Sequence, residues 1–193
     1  MTVDPEAICD FWFGGPNLDA FGESRTAWFV KDTAFDEEIR RRFLATLESA
    51  ERGELRHWRD TPKHSLSFII LLDQFPRNMF RGTPRAFATD AMALDTARFA
   101  IEHRHDQTVN SLERVFFYLP FEHSESLPDQ ARSVALLQAL IDADSSRADF
   151  LDYAKRHHDV IARFGRFPHR NRILGRVSTE AEIEFLKQPG SSF

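Results

Sequence analysis

His123 is flanked by carboxylates. In Phe116-Phe-Tyr-Leu-Pro-Phe-Glu-His-Ser-Glu125 an aromatic run leads straight into Glu122, His123 and Glu125. A histidine oriented by an acid is the simplest general base a chain can build, because the carboxylate fixes the ring tautomer and supports the charge gained with a proton. The same residue types can ligate a metal, but neither HExxH spacing nor a cysteine ligand accompanies them, so no metal is expected. The plainer reading is a buried His123 bonded to backbone, with its acidic neighbours paired to arginines.

Two further stretches carry the cations such a site would use. Arg163-Phe-Gly-Arg-Phe-Pro-His-Arg-Asn-Arg-Ile-Leu-Gly-Arg176 holds five Arg, one His and no acid, in a chain of formal net charge −5. Leu71-Leu-Asp-Gln-Phe-Pro-Arg-Asn-Met-Phe-Arg-Gly-Thr-Pro-Arg85 supplies Arg77, Asn78, Arg81 and Arg85, and its Phe75-Pro-Arg-Asn78 returns as Phe167-Pro-His-Arg-Asn171. Guanidinium groups interleaved with Phe, Pro, Ile and Leu are held partly out of water and need anions. Either the protein supplies them, as Asp73 would for a neighbouring arginine, or a carboxylate or phosphate ligand does. Arg77, Asn78, Arg81, Arg85, His157, Arg166, Arg170 and Asn171 are the expected ligand-binding residues, with His123, Glu125 and His169 as the acid–base candidates. His157 shares a helical face with Phe150, Ala154, Ile161 and Phe164, which aims it inward.

The elements that must position these groups read as helices throughout. Asp4-Pro5 caps a first helix to about Phe13, stopped at Gly14-Gly-Pro16. A second runs from about Ala34 to Arg52, with Phe35, Ile39, Phe43 and Leu47 on one face and Gly53 as its stop. Thr61-Pro62 opens another toward Pro76. There Pro76, Gly82 and Pro84 place the three arginines on a turn between helices. Thr83-Pro84 begins a segment to about His103 with a break near Thr89-Asp90. Further helices span Leu112 to Leu119, where Pro120 bends or ends the chain, then Ser126 to Ile141, and Ser146 to Phe164 with Gly165 as stop. Thr179 with Glu182 forms a capping box that opens a last helix to Lys187. Short connections make neighbouring helices antiparallel. The expected fold is all-α, three helical hairpins stacked as a short superhelix in one domain over residues 1–193.

Composition narrows the function. An acidic balance with a local basic cluster argues against nucleic-acid binding. No apolar run approaches the ~18 residues of a membrane span. One cysteine, Cys9, and no leader-like N-terminus favour the cytoplasm. Phosphate loops, dinucleotide fingerprints and nucleophile elbows are missing, so no cofactor is expected.

The Leu-Leu-Asp-Gln-Phe-Pro-Arg-Asn, Phe-Tyr-Leu-Pro-Phe-Glu-His-Ser-Glu and Arg-Phe-Gly-Arg-Phe-Pro-His-Arg-Asn-Arg motifs, with the closing Pro-Gly-Ser-Ser-Phe193, resemble the family of the domain of unknown function DUF924 over nearly the whole chain. The resemblance implies an all-α, tetratricopeptide-repeat-like fold and no particular activity. Glu122 stands where it leads one to expect an apolar residue such as Met, which leaves His123 and Glu125 as the functional pair. It also makes the C-terminal carboxylate of Phe193 a candidate partner for the arginine cluster. The readings that follow are a binding module for an anionic small molecule or peptide carboxylate, a hydrolase or transferase with a His/Glu pair and an Arg clamp, and an internal ion-pair network.

Overall fold

Asp4 is the side-chain cap of α1 (Pro5–Phe13): its carboxylate accepts from Glu6 N–H, and Pro5 sits where a missing donor costs nothing. Gly14 closes the helix at φ 98°, a left-handed angle that favours glycine. The structure is a computed structural model that describes residues 3–14, 28 and 30–191. The chain is all-helical there, and no helix among the described residues is long and apolar enough to cross a membrane. After α1 come α2 (Thr33–Glu51), α3 (Pro62–Ile69), α4 (Phe75–Met79), α5 (Asp90–Glu102), α6 (Ser111–Glu122), α7 (Leu127–Ala143), α8 (Ala148–Phe164) and α9 (Glu180–Leu186), with short 3-10 turns between several of them. They fall into two compact units, one of Met1–Arg81 with Arg85–Pro120, the other of Gly82–Pro84 with Phe121–Phe193.

The first unit is built on aromatic rings. Trp12 meets Trp28, Phe35, Phe75 and Phe116, and Phe43 packs on Phe75 with centroids 4.7 Å apart and the rings tilted by 32°. Ile39, Phe43 and Leu47 of α2 are completely buried, as their spacing predicts. Each such ring pair adds about 0.5–1.5 kcal/mol beyond the area it buries.

Pro76 does not end the helix that precedes it. The chain stays helical from Pro62 to Met79 because residues Ile70–Gln74 widen into a π turn. The Phe75 N–H reaches back five residues to the Ile70 carbonyl. In an α-helix the Leu72 carbonyl would accept from residue 76, but proline has no N–H to give. Thr89 takes its place: its hydroxyl donates to Leu72 O at 2.5 Å. The Asp73 carbonyl is met by the Arg77 guanidinium at 2.6 Å. Arg77 therefore lies within α4, Arg81 on the turn after it, and Arg85 in a 3-10 turn spanning Pro84–Phe87. The expected break near Thr89-Asp90 is where α5 begins. Pro120 likewise sits inside α6, which continues to Glu122 instead of stopping at Leu119.

In the second unit α7 packs on α8 across the short link Asp144–Arg147. Leu137, Leu140, Phe150, Leu151, Ala154, Val160 and Ile161 form its interior, and Phe167 is buried beyond the end of α8. Gly165 ends α8 at φ 68°, and its N–H bonds to Ile161 O. Thr179 and Glu182 exchange both hydrogen bonds of a capping box at the start of α9.

Thr89→Val preserves shape but removes the donor to Leu72. Leaving that buried carbonyl unmet is expected to cost about 1–3 kcal/mol. The check is urea unfolding, with a lower midpoint at an unchanged denaturant slope.

Candidate functional site

In the first unit the arginines meet the protein's own carboxylates. Arg77 holds Asp90 through both oxygens at 2.8 and 3.1 Å and lies 3.3 Å from the fully buried Asp73. Arg81 forks onto Asp36 at 2.6 and 2.9 Å, and Asn78 donates to the same carboxylate at 2.8 Å. Arg85 reaches Glu51 at 3.0 Å and Glu48 at 3.5 Å while lying over the Phe80 ring. These contacts brace α4 and its turn against α2 and α5. Ser65 and His105 also meet, at 3.1 Å, but not as nucleophile and base. The Ser65 hydroxyl is buried and gives its proton to the Pro62 carbonyl, so the ring donates to it.

The second unit gathers its basic residues around Phe167. The Arg170 guanidinium lies 4.4 Å above that ring, His169 is 5.6 Å from it, and His157 meets its edge at 5.5 Å. The His123 ring is 6.3 Å from His157. His157 and Arg170 are buried, whereas His123 and His169 are half open to solvent.

His157 is positioned by two acceptors. Its Nδ1 lies 2.9 Å from the Tyr153 carbonyl one turn back on α8, and 3.1 Å from Glu122 Oε1. A carbonyl and a carboxylate oxygen can only accept, so Nδ1 carries the proton and Nε2 is the lone-pair nitrogen. Burial pushes His157 down to about 3, and the nearby His123, Arg170 and His169 push the same way. The expected partnership of His123 with Glu125 is replaced by one between His157 and Glu122. Glu122 is 3 % exposed and had been set aside as a departure from the apolar residue expected there.

Glu125 serves the loop. Its Oε1 accepts the Phe167 N–H at 2.7 Å, and Arg176 clamps both of its oxygens at 2.6 and 2.9 Å. Although desolvated, the Glu125 carboxyl is held below its ordinary value by Arg176 and the Phe167 N–H. Arg166 forks onto Glu182 at 2.6 and 2.8 Å, and this pairing is the main reason that Glu182 is pushed down to about 2. Asn171 is buried and donates to Ser178 Oγ at 3.0 Å. These bonds fix the stretch that carries Phe167, His169 and Arg170. An open groove of about 510 Å³ lies elsewhere, along Arg163, Phe164, Arg166, Thr179, Ala181 and Glu182, and its Arg166 is already engaged. Sequence reasoning missed Arg176, Glu182, Asp36 and Asp90 as partners, although the capping box had singled out Glu182. The Phe193 carboxylate lies outside the described residues.

The unfolded chain protonates His157 as pH falls through 6.5, the folded chain only near 3. Acidification across that window therefore costs stability, by up to about 1.4 kcal/mol per pH unit for one proton. His157→Gln, which cannot titrate, is expected to show a shallower loss in urea melts taken at successive pH values.

The model of the family described as bacterial protein of unknown function (DUF924) matches residues 8–190. No curated protein matches the chain. The solved structure of a protein of unknown function from Agrobacterium tumefaciens is 43% identical, covering 95% of this chain and 96% of its own, with a TM-score of 0.82. With this coverage by the family model and this identity to a solved structure, the chain belongs to the DUF924 family.

Proposed function

We propose that the second unit is a binding module for a small anionic group, carried by a free metabolite or a peptide carboxylate in the cytoplasm. One observation supports this above the others: His123, His157, His169 and Arg170 are drawn together around a single buried ring, Phe167, with a half-buried histidine on either flank. Arg170 brings a fixed positive charge to this cluster, and the half-buried His123 and His169 can offer ring N–H donors beside it, the mixture that suits a small oxyanion. Asn171 and the Glu125–Arg176 clamp hold the loop so that these donors are in place before a ligand arrives. The α7–α8 pair is a helical hairpin of the kind that tetratricopeptide modules stack into ligand-bearing surfaces. On this reading the arginines of the first unit and Arg166 are framework, because carboxylates of the chain already meet them.

Titration calorimetry with inorganic phosphate, sulfate and citrate is the test. Wild type is expected to bind at least one of them with one-to-one stoichiometry. His169→Ala and Arg170→Lys each lose about tenfold in affinity, the scale of one charge-assisted hydrogen bond. Arg81→Ala leaves binding unchanged. Absence of binding by wild type to all three anions, or equal binding by the wild type, His169→Ala and Arg170→Lys proteins, sinks the proposal.

A further inference from the structure

We infer that the first unit carries a separate site, for a small apolar carboxylate of the arylacetate class, in a pocket between the 3-10 turn Arg56–Asp60, α3 and α5. It is independent of the anion site proposed above for the second unit. The pocket has a volume of about 230 Å³ and is half open to solvent. Phe68 of α3 and Thr96 of α5, both almost completely buried, form its floor with Met92, and Arg56, Arg59 and Asp95 stand around it. Side chains three residues apart eclipse in a 3-10 helix, so Arg56 and Arg59 leave their turn on the same side.

These two arginines differ from those that brace α4. Arg59 reaches one acid, Asp95, through a single contact of 3.5 Å, and that carboxylate is 75 % exposed. Its guanidinium rests over the Phe99 ring at 4.5 Å. Among the described residues no acid pairs with Arg56. Two guanidiniums against one solvent-facing carboxylate leave a positive balance that suits a ligand with a single negative charge. The Thr96 hydroxyl is spent on the Met92 carbonyl at 2.8 Å, so the arginines are the side-chain donors. The floor decides which anion. Phosphate and sulfate are hydrated on every side, and Phe68 and Met92 offer nothing to replace that water. An aryl carboxylate puts its charge among the arginines and its ring on Phe68 and on the pliable Met92 thioether. Size sets the class: a cavity of about 150 Å³ accepts benzene, so 230 Å³ has room for one ring with a short acid arm.

Calorimetry on the full chain with sodium phenylacetate is the test, with methionine-methyl NMR to locate the ligand. The chain has three methionines, of which Met92 lines this pocket and Met79 is buried elsewhere. Phenylacetate is expected to bind one-to-one and to shift the Met92 methyl resonance by its ring current, leaving Met79 in place. Phenylacetamide, the same shape without the charge, is expected to bind about tenfold more weakly. Arg56→Gln is expected to weaken phenylacetate about fivefold, the upper end for a charge pair that faces water, and Arg170→Lys not at all. No saturable binding of phenylacetate, an unmoved Met92 methyl at saturation, or equal binding of acid and amide overturns the inference. So does equal binding by wild type and Arg56→Gln, or weakening by Arg170→Lys, which would put the acid in the second unit. None of the binding failures touches the second-unit reading, which stands or falls on inorganic anions and citrate.

Discussion

A guanidinium taken out of water has to meet an anion, and the loops of this protein are shaped by where those meetings occur. Arg77 is held by Asp73 and Asp90, Arg81 by Asp36, Arg166 by Glu182 and Arg176 by Glu125. The pairs with Asp90, Asp36, Glu182 and Glu125 are forks of two hydrogen bonds, so each fixes an orientation as well as a distance. The partners are far apart in sequence: 45 residues separate Arg81 from Asp36, and 51 separate Arg176 from Glu125. Such pairs add little net stability where they face water, but they decide which of several possible loop paths is populated.

The contrast between the two Phe-Pro echoes follows from this. Phe75 and Phe167 are both completely buried, and Asn78 and Asn171 are both tied to neighbours. In the first echo the arginine is enclosed by two carboxylates. In the second the basic residues lie on and beside the aromatic ring, with another histidine facing it from α8. Similar residues thus give a brace of ion pairs in one place and a group of basic side chains around an aromatic ring in the other.

The helices were legible in the sequence because their signals are local. Asp4-Pro5, Gly165 and the Thr179–Glu182 box act within one turn, and the Ile39–Phe43–Leu47 spacing reports one face of one helix. The candidate residues of the second unit were legible for the same reason, as a dense run of unusual composition. The pairings were not. Glu122 carries no local mark that separates it from Glu125, and only the arrival of α8 beside it makes it the partner of a histidine. Pro76 is expected to close its helix and Pro120 to bend or end its own, but that penalty assumes that the carbonyl four residues earlier has nowhere else to turn. Thr89, distant in sequence from Leu72, supplies the answer for the first of them.

The π turn also sets the phase of everything after it. A widened turn holds one residue more than an α-turn over nearly the same rise, so it acts as a one-residue insertion absorbed inside a helix. Each helical residue turns the chain by about 100°. Deleting one residue between Ile70 and Gln74 would restore an ordinary helix and rotate Arg77 and Asn78 by that angle, away from Asp90 and Asp36 together. The length of this segment is therefore as much a part of the brace as the charges are, and a length change there is a different kind of lesion from any single substitution.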